Sequence, residues 1–171
     1  MSWPAAPSRR ASVRPPMAAD RDTAGVIAPP PLIFAAFFLS GIALDTLFPV
    51  ATRADTAVRW TGGALIAAAA IVGIAVALQF RRAGTHLEPW KPTTVLVTGG
   101  LYRLSRNPAY IALAMLYAGV ALALGKAWTL AMLAPALTVI QLGVIRREER
   151  YLERKFGDSY RAYCRAVRRW L

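Results

Sequence analysis

The sequence has few residues that could build a disulfide framework or a metal site. Cys164 and His86 are the only cysteine and the only histidine among its 171 residues. A single cysteine excludes an intramolecular disulfide, and a zinc-type centre built from cysteine and histidine needs more ligands than these two residues supply. We therefore expect no redox framework and no metal cofactor.

Acidic residues are also scarce, since nine Asp and Glu face 21 Lys and Arg for a net charge of +12. A basic excess can indicate nucleic-acid binding, which needs a basic face with interleaved aromatic residues. Here the basic residues instead alternate with long apolar stretches, and 56% of the chain is hydrophobic. This pattern favours membrane topology, and we expect no nucleic-acid partner.

Residues 1–29 have no hydrophobic period that could support packing and are rich in Ala, Pro, Arg and Ser. Such composition predicts a disordered basic N-terminal tail. The pair Arg9 and Arg10 is a feature of twin-arginine export signals, but no small-residue cleavage site follows the first apolar run. We therefore expect that run to be retained as a membrane span.

Apolar stretches at residues 31–50, 58–80, 109–124 and 127–145 predict four transmembrane helices. The last two flank a short Gly125–Lys126–Ala127 break and should form a helical hairpin, with Pro135 kinking its second arm. A soluble buried hairpin is the alternative for this pair, although two other spans precede it. The predicted fold class is an all-α integral membrane protein.

The positive charges predict the orientation of the chain. Only Arg53, Arg59 and Lys126 fall in the proposed outer loops, and the other eighteen basic residues lie in the tail and in residues 81–108 and 146–171. By the positive-inside rule, both termini are expected in the cytoplasm, as for a multi-pass protein of a bacterial inner membrane. The C-terminal segment is amphipathic at helical spacing and could lie on the membrane surface as a helix.

The two inner segments frame the hairpin, so a polar pocket is expected where they meet. Before the hairpin, Asn107 is placed as a helix cap ahead of Pro108, and Arg106 stands beside exposed helix amides that could bind an anion. A simple capped helix at the membrane interface would explain the same residues.

After the hairpin comes the acidic pair Glu148 and Glu149, which could accept hydrogen bonds from ribose hydroxyls or pair with an ammonium group. Surface ion pairing with neighbouring arginines is the alternative. The residues around Phe156 and Gly157 are typical of a glycine-containing helix break with aromatic packing.

Together these features resemble a known pattern, TxGxYxxxRxPxY before a helical hairpin and EExxLxxxFGxxYxxY after it. Here the first half runs from Thr98 to Tyr110 and the second from Glu148 to Tyr163. The order is similar to that of the isoprenylcysteine carboxyl methyltransferase superfamily, which includes phospholipid methyltransferases and bacterial members. The resemblance covers about residues 80–167, so the chain divides into the tail (1–29), two membrane helices (30–80) and a methyltransferase-like region (81–171).

The resemblance implies an enzyme that transfers a methyl group from S-adenosylmethionine to a lipophilic carboxylate or amine at the cytoplasmic membrane face. It implies these cofactor-binding residues, with Arg106 and Glu149 added as supporting residues: Thr94, Val95, Leu96, Val97, Tyr102, Asn107, Pro108, Ala109, Tyr110 and Glu148. An amine acceptor must lose a proton, for which Tyr110 or Glu149 would be the candidate catalytic base. The expected partners are the bilayer and the acceptor, with no obligate protein partner.

Three positions depart from the eukaryotic pattern. Asn107 stands where a histidine is frequent, Ala112 where glycine is usual, and Val144 where the prenylcysteine enzymes carry a substrate-binding arginine. Two alternative functions stay open, and these departures support the second of them. One is an NADPH-dependent lipid or sterol-type reductase, because such enzymes share a related C-terminal motif, and the other is a non-catalytic membrane protein that retains the fold.

Overall fold

The computed structural model describes residues 23–50 and 55–171. Within these ranges all regular structure is helical, with no strand. The helices are α1 (Pro30–Leu47), α2 (Thr56–Arg82), α3 (Pro108–Ala123), α4 (Ala127–Ala131), α5 (Leu133–Ile140), α6 (Arg146–Phe156) and α7 (Asp158–Ala166). A single 3₁₀ turn covers Gly100–Arg103, and a π-helical turn at Gln141–Ile145 joins α5 to α6. The all-α prediction is confirmed for the described residues.

Three helical runs in the described ranges are long and apolar enough to cross a membrane: Pro30–Leu47, Thr56–Arg82 and Ala127–Phe156. Helix α3 is apolar but has only 16 residues. At about 1.5 Å per residue it is about 24 Å long, shorter than a hydrocarbon core of about 30 Å. The structure thus supports three candidate spans, and the predicted fourth depends on how α3 lies in the bilayer.

Helices α2 and α3 pack closely because glycines meet at their contact. A Cβ atom at Gly62 would lie 2.6 Å from the carbonyl oxygen of Gly119, and one at Gly119 would lie 2.8 Å from that of Gly62. Small residues at such a contact allow two membrane helices to approach backbone to backbone. At the other end of α2, the side chain of Gln79 donates to the carbonyl of Gly99. Helix α3 therefore runs antiparallel to α2 along most of its length.

Helix α1 holds the start of α4 through a buried carboxylate. Asp45 accepts hydrogen bonds from the backbone N–H groups of Trp128 at 3.1 Å and Thr129 at 3.0 Å, and from the Thr129 hydroxyl at 2.7 Å. These amides belong to the first turn of α4, where no helical carbonyl is available to them. Asp45 therefore caps a helix on another part of the chain, which fixes the end of the bundle where α1 ends and α4 begins.

The second arm of the hairpin has a one-residue break in its helix close to Pro135. Helix α4 ends at Ala131 and α5 begins at Leu133, so the interruption at Met132 lies three residues before Pro135. Pro135 has no N–H to donate to the carbonyl of Ala131, and this missing bond explains the location. Farther along, buried Ile140 and Val144 pack with Phe34 and Tyr117 in the core between α1, α3 and α5.

Residues 23–29 differ from the predicted disordered tail, whose residues 1–22 lie outside the described ranges. The N–H of Ala24 donates to the carbonyl of Pro89, and that of Ile27 donates to the carbonyl of Gly143. Gly25 also accepts a hydrogen bond from the guanidinium of Arg147 at 2.9 Å. Residues 24, 25 and 27 make all of these contacts through their main-chain groups, so the composition of the segment gave no sign of them.

The C-terminal segment contains the glycine helix break that the residues around Phe156 and Gly157 predict, so the amphipathic segment forms two helices. Helix α6 ends at Phe156, and Gly157 between α6 and α7 has a φ of +52°, which glycine adopts readily and other residues rarely do. After Ala166 the chain leaves the helix. Residues 167–171, which we call the C-terminal strap, fold back against the residues that precede α3.

Candidate functional site

A cavity of about 230 Å³ lies at the end of the bundle where α2 ends and α6 begins. Its walls come from the loop after α2, the first turns of α3, the start of α6, and α7. Ten of the sequence-predicted residues line it: Val95, Leu96, Val97, Tyr102, Arg106, Asn107, Ala109, Tyr110, Glu148 and Glu149. The two segments on either side of the hairpin therefore meet at one cavity.

Thr94 and Pro108 are not among the lining residues. The N–H of Thr94 donates to the hydroxyl of Thr85 at 3.0 Å, and its own hydroxyl donates to the carbonyl of Gly84, so this side chain closes a turn of the loop. Pro108 is buried at the first position of α3, where a missing N–H costs little. Both residues shape neighbouring backbone that lines the cavity.

Tyr110 and Glu148 form the hydrogen bond at the centre of the site. The phenol of Tyr110, in the first turn of α3, donates to Oε1 of Glu148 at 2.7 Å. Glu148 lies in the first turn of α6, and its side chain lines the cavity beside Tyr110. A hydroxyl donor on a carboxylate makes a strong, short hydrogen bond, and this one leaves the second carboxylate oxygen of Glu148 outside the bond.

Glu149 holds two arginines beside this pair. Arg169 makes a bidentate contact with it, with Nε to Oε1 and Nη2 to Oε2 both at 2.8 Å. Nη1 of Arg106 lies 3.2 Å from Oε1 of Glu149 and also donates to Sγ of Cys164 at 2.7 Å. The side chains of Arg106 and Glu149 are 14% and 18% exposed, so water screens their attraction only partly. The buried Nε of Arg106 has no hydrogen-bond partner among the described residues.

Asn107 stands at the helix-cap position predicted for it, but its side chain does not cap the helix. No side-chain cap hydrogen bond forms at the start of α3, and Nδ2 of Asn107 donates instead to the carbonyl of Arg169 at 2.8 Å. The N–H of Asn107 is satisfied by the hydroxyl of Ser105 at 3.1 Å. The prediction of a side-chain cap was wrong because the C-terminal strap offers the amide a carbonyl acceptor.

Aromatic rings form the wall nearest the loop. The rings of Tyr102 and Phe80 lie 5.6 Å apart at a tilted angle, and the hydroxyl of Tyr163 donates to the carbonyl of Tyr102 at 2.7 Å. Burial raises the pKa of the Tyr102 phenol, and the nearby carboxylate of Glu148 raises it further. Burial also raises the pKa of Tyr163 to about 12. Both phenols therefore stay protonated at neutral pH and can only act there as neutral hydroxyl groups.

The cavity also has walls that sequence reasoning missed. They include Phe80, His86, Glu88, Trp90, Leu113, Ile145, Tyr151 and Leu152, as well as Ala24, Pro30 and Pro31 from the N-terminal region. Tyr151 anchors the loop, because its hydroxyl accepts a hydrogen bond from the N–H of Thr93 at 3.1 Å. Trp90 and Tyr151 could have been recognised from the sequence, because they are aromatic residues in polar segments. No local pattern indicated that Ala24 or Ile145 would line the cavity.

The described residues contain no group of three or more His, Cys, Asp or Glu side chains that could hold a metal ion. The polar groups at the cavity instead form two sets, a phenol with a carboxylate and a second carboxylate with two guanidinium groups. Such a site can bind a ligand that carries charged and hydrogen-bonding groups.

Residues 57–159 match the model of the phospholipid methyltransferase family, over more than half of the chain. The chain belongs to the phospholipid methyltransferase family. The matched residues run from the first turn of α2 into α7 and include Tyr110, Glu148 and Glu149. Helix α1 and the C-terminal strap lie outside the match. The resemblance to this methyltransferase superfamily that the two motifs indicated is thereby confirmed.

A short segment of the chain is similar to an uncharacterised protein of Haemophilus influenzae, with 60% identity over 35 residues. That alignment covers 20% of this chain and 56% of the relative, so the chain spans about half the length of the curated relative it matches. No solved structure matches the chain. The family match, not an individual relative, therefore carries the assignment to a methyltransferase family.

Proposed function

We propose that this protein is a membrane enzyme that transfers the methyl group of S-adenosylmethionine to a lipophilic carboxylate or amine at the cytoplasmic face. The observation that carries the proposal is the hydrogen bond between Tyr110 and Glu148, which joins the two family-matched segments across one cavity. The family is a methyltransferase family, and this cavity is where its matched segments place their buried charges.

The residues of the cavity fit the chemistry of this cofactor. A carboxylate such as Glu148 can accept hydrogen bonds from ribose hydroxyls or pair with an ammonium group. The buried Nε of Arg106, which has no partner among the described residues, offers a donor to a carboxylate. The rings of Phe80, Tyr102 and Trp90 offer apolar faces to a planar base. When bound, the cofactor would supply an electrophilic methyl group on a positively charged sulfur.

Methyl transfer by direct displacement depends mainly on holding donor and acceptor in line. Leu113 and Ile145 line the part of the cavity that adjoins the bundle and are suited to the apolar portion of an acceptor. A carboxylate acceptor needs no base. For an amine acceptor Tyr110 would have to exchange its bond to Glu148, and Glu149 would have to leave its two arginines. The arrangement therefore favours an acceptor that arrives already deprotonated.

We also propose that all four apolar segments cross the membrane, with both termini in the cytoplasm. The contacts of α3 with α2 support this arrangement, since Gly119 near the end of α3 meets Gly62 near the start of α2. Gly99, which precedes α3, meets Gln79 near the end of α2. Phe80 near the end of α2 also lines one cavity with Tyr110 in the first turn of α3, so the two ends of α3 lie near opposite ends of α2. A short α3 would then cross with local thinning of the bilayer.

Ligand titration tests the proposal. Purified protein in detergent is titrated with S-adenosylmethionine, S-adenosylhomocysteine and NADPH by calorimetry. We expect saturable binding of the first two and none of NADPH. Binding of NADPH alone would replace the proposal by a reductase, and binding of none would favour a non-catalytic protein.

Substitutions of cavity residues test whether the cofactor binds in this cavity. Glu148→Ala and Tyr110→Ala should weaken cofactor binding without loss of expression, while Glu153→Ala should leave it unchanged. Glu153 is a matched control because it lies on the same helix with its side chain 51% exposed and away from the cavity lining. Normal binding by both cavity variants would show that the site is misassigned.

The acceptor class can be read from the product. Membranes that contain the protein are incubated with cofactor labelled on the methyl carbon, and the labelled lipid is treated with alkali. A carboxylate acceptor gives a methyl ester, which alkali hydrolyses to volatile labelled methanol. An amine acceptor gives a methylamine that survives. We expect the alkali-labile product. The candidate bases for an amine acceptor, Tyr110 and Glu149, are already hydrogen-bonded to Glu148 and Arg169.

A further inference from the structure

The C-terminal strap, residues 167–171, lies outside the family-matched region and yet contacts both halves of the cavity. On one side, the carbonyl of Arg169 accepts hydrogen bonds from Asn107 Nδ2 at 2.8 Å and from the Ser105 hydroxyl at 3.2 Å. The carbonyl of Arg168 accepts from the N–H of Arg106 at 2.9 Å. Three consecutive residues before α3 are thus held by two backbone carbonyls of the strap.

On the other side, the strap contacts the helix that carries the acidic pair. The guanidinium of Arg169 makes two parallel hydrogen bonds to the carboxylate of Glu149. The indole Nε1 of Trp170 donates to Oε1 of Gln141 at 3.0 Å, at the start of the π-helical turn that leads into α6. The strap therefore spans the cavity edge from the segment before α3 to the segment before α6.

These contacts also balance the charges of the site. Glu149 is also the ion-pair partner of Arg106, whose Nη1 lies 3.2 Å from Oε1 of the carboxylate. The two bonds from Arg169 fix the plane of that carboxylate, because a guanidinium fork and a carboxylate match in geometry. Without Arg169, Glu149 could rotate toward Arg106 and draw its guanidinium away from the cavity.

We infer that Arg169 is a positioning residue, which acts through Glu149 to aim Arg106 at the ligand of the cavity. The inference rests on the proposed function in that the ligand is taken to be the methyl donor. It adds to that function a residue that lies beyond the family-matched segment. It also assigns the C-terminal strap a role at the edge of the site.

The test compares Arg169 variants by the binding of S-adenosylhomocysteine to the full-length protein in detergent. We expect Arg169→Gln to weaken binding about tenfold. Arg169→Lys should recover little of this loss, because an ammonium group keeps the charge but cannot make the two parallel bonds. Arg165→Gln is the matched control, since it removes the same charge from an exposed side chain of α7 and should change binding less than twofold.

A double-mutant cycle separates positioning from a general loss of structure. If Arg169 acts through Glu149, Arg169→Gln should have little further effect on binding once Glu149→Gln is present. The thermal midpoint of each variant is measured in parallel. If Arg169→Gln fails to fold, Arg169→Lys replaces it in the cycle, and if Glu149→Gln fails to fold, Glu149→Asp replaces it. Additive losses, or normal binding by Arg169→Gln, would overturn the inference. Absence of binding by the unmodified protein would instead refute the proposed function.

Discussion

The phenol of Tyr110 and the carboxylate of Glu148 meet at 2.7 Å, although 38 residues separate them in the chain. The whole helical hairpin of α3, α4 and α5 lies between the two residues. Because each residue lies in the first turn of its helix, their bond fixes the start of α3 against the start of α6. The hairpin thus brings together two polar segments that would otherwise be independent.

Removing the Tyr110 hydroxyl should destabilise the protein. Tyr110→Phe leaves a carboxylate oxygen of Glu148 without its donor, which costs about 1–3 kcal/mol for a buried polar group. Tyr117→Phe is the control, because the buried hydroxyl of Tyr117 has no hydrogen-bond partner among the described residues, and its removal should be neutral or stabilising. Thermal unfolding in detergent measures both variants. Equal unfolding midpoints for the two variants would show that the hydrogen bond between Tyr110 and Glu148 contributes nothing to stability.

Glu148→Gln should weaken the binding of S-adenosylmethionine and S-adenosylhomocysteine by a similar factor, about tenfold. The variant keeps an acceptor oxygen for Tyr110 but loses the charge that would hold a ribose or an ammonium group, and both ligands carry these groups. Calorimetric titration of each ligand gives the ratio of its dissociation constants for the variant and the unmodified protein. A loss confined to S-adenosylmethionine would place the carboxylate beside the charged sulfur instead.

Gly62 and Gly119 should not tolerate a side chain. A Cβ atom at either position would lie within 3 Å of backbone atoms of the other helix, which cannot move aside as a flexible side chain could. We expect Gly62→Ala and Gly119→Ala each to cost about 1–3 kcal/mol, as overpacking does. Gly63→Ala is the control, because a Cβ there meets nothing within 4 Å. A control that is as unstable as the other two, by thermal unfolding, would refute the close contact.

Asp45 should contribute more to stability than an exposed helix cap. Asp45→Ala removes an acceptor from three donors at the start of α4 and should cost about 2 kcal/mol or more. Asp55→Ala removes one exposed bond, which the N–H of Val58 donates to Asp55 at 2.9 Å, and should cost about 1 kcal/mol or less. Thermal unfolding compares the two, and cofactor binding should be unchanged in both. A larger loss of stability for Asp55→Ala than for Asp45→Ala would contradict the role of Asp45 as the cap of α4.

Reporter fusions test the four proposed crossings. A phosphatase that is active only outside the cytoplasm, fused after Lys126, should be active, and fused after Gly84 or at the C-terminus it should be inactive. A fluorescent protein that folds only in the cytoplasm should give the opposite result at each position. An inactive phosphatase after Lys126 would mean that α3 does not cross, and the number of spans would have to be revised.

Several features could be predicted from sequence because each depends on neighbouring residues. Apolar runs predicted the helices that became α1 and α2 to within a few residues, since burial in lipid requires an uninterrupted apolar stretch. The paired motifs predicted the family because both halves had the right order around a hairpin. Ten of the twelve predicted site residues line one cavity, which shows that the motifs carried geometric as well as compositional information.

Other features could not be predicted because their cause lies far along the chain. The amide of Asn107 follows a cap pattern locally, but the carbonyl of Arg169, 62 residues away, offers it a different acceptor. Asp45 gave only the signal of a polar residue at the end of a span, while its partners lie more than 80 residues away. Composition likewise could not place Ala24 against Pro89, because a backbone contact depends on no side-chain type.

The sequence alone therefore determined that the chain is a helical membrane protein of a methyltransferase family, because apolar length and motif order are properties of neighbouring residues. The tertiary structure decided which charges meet. It paired Glu148 with Tyr110 and Glu149 with two arginines, and it brought the C-terminal strap to the edge of the cavity. Such pairings arise only when packed helices bring distant segments within hydrogen-bonding distance, and no local pattern specifies that distance.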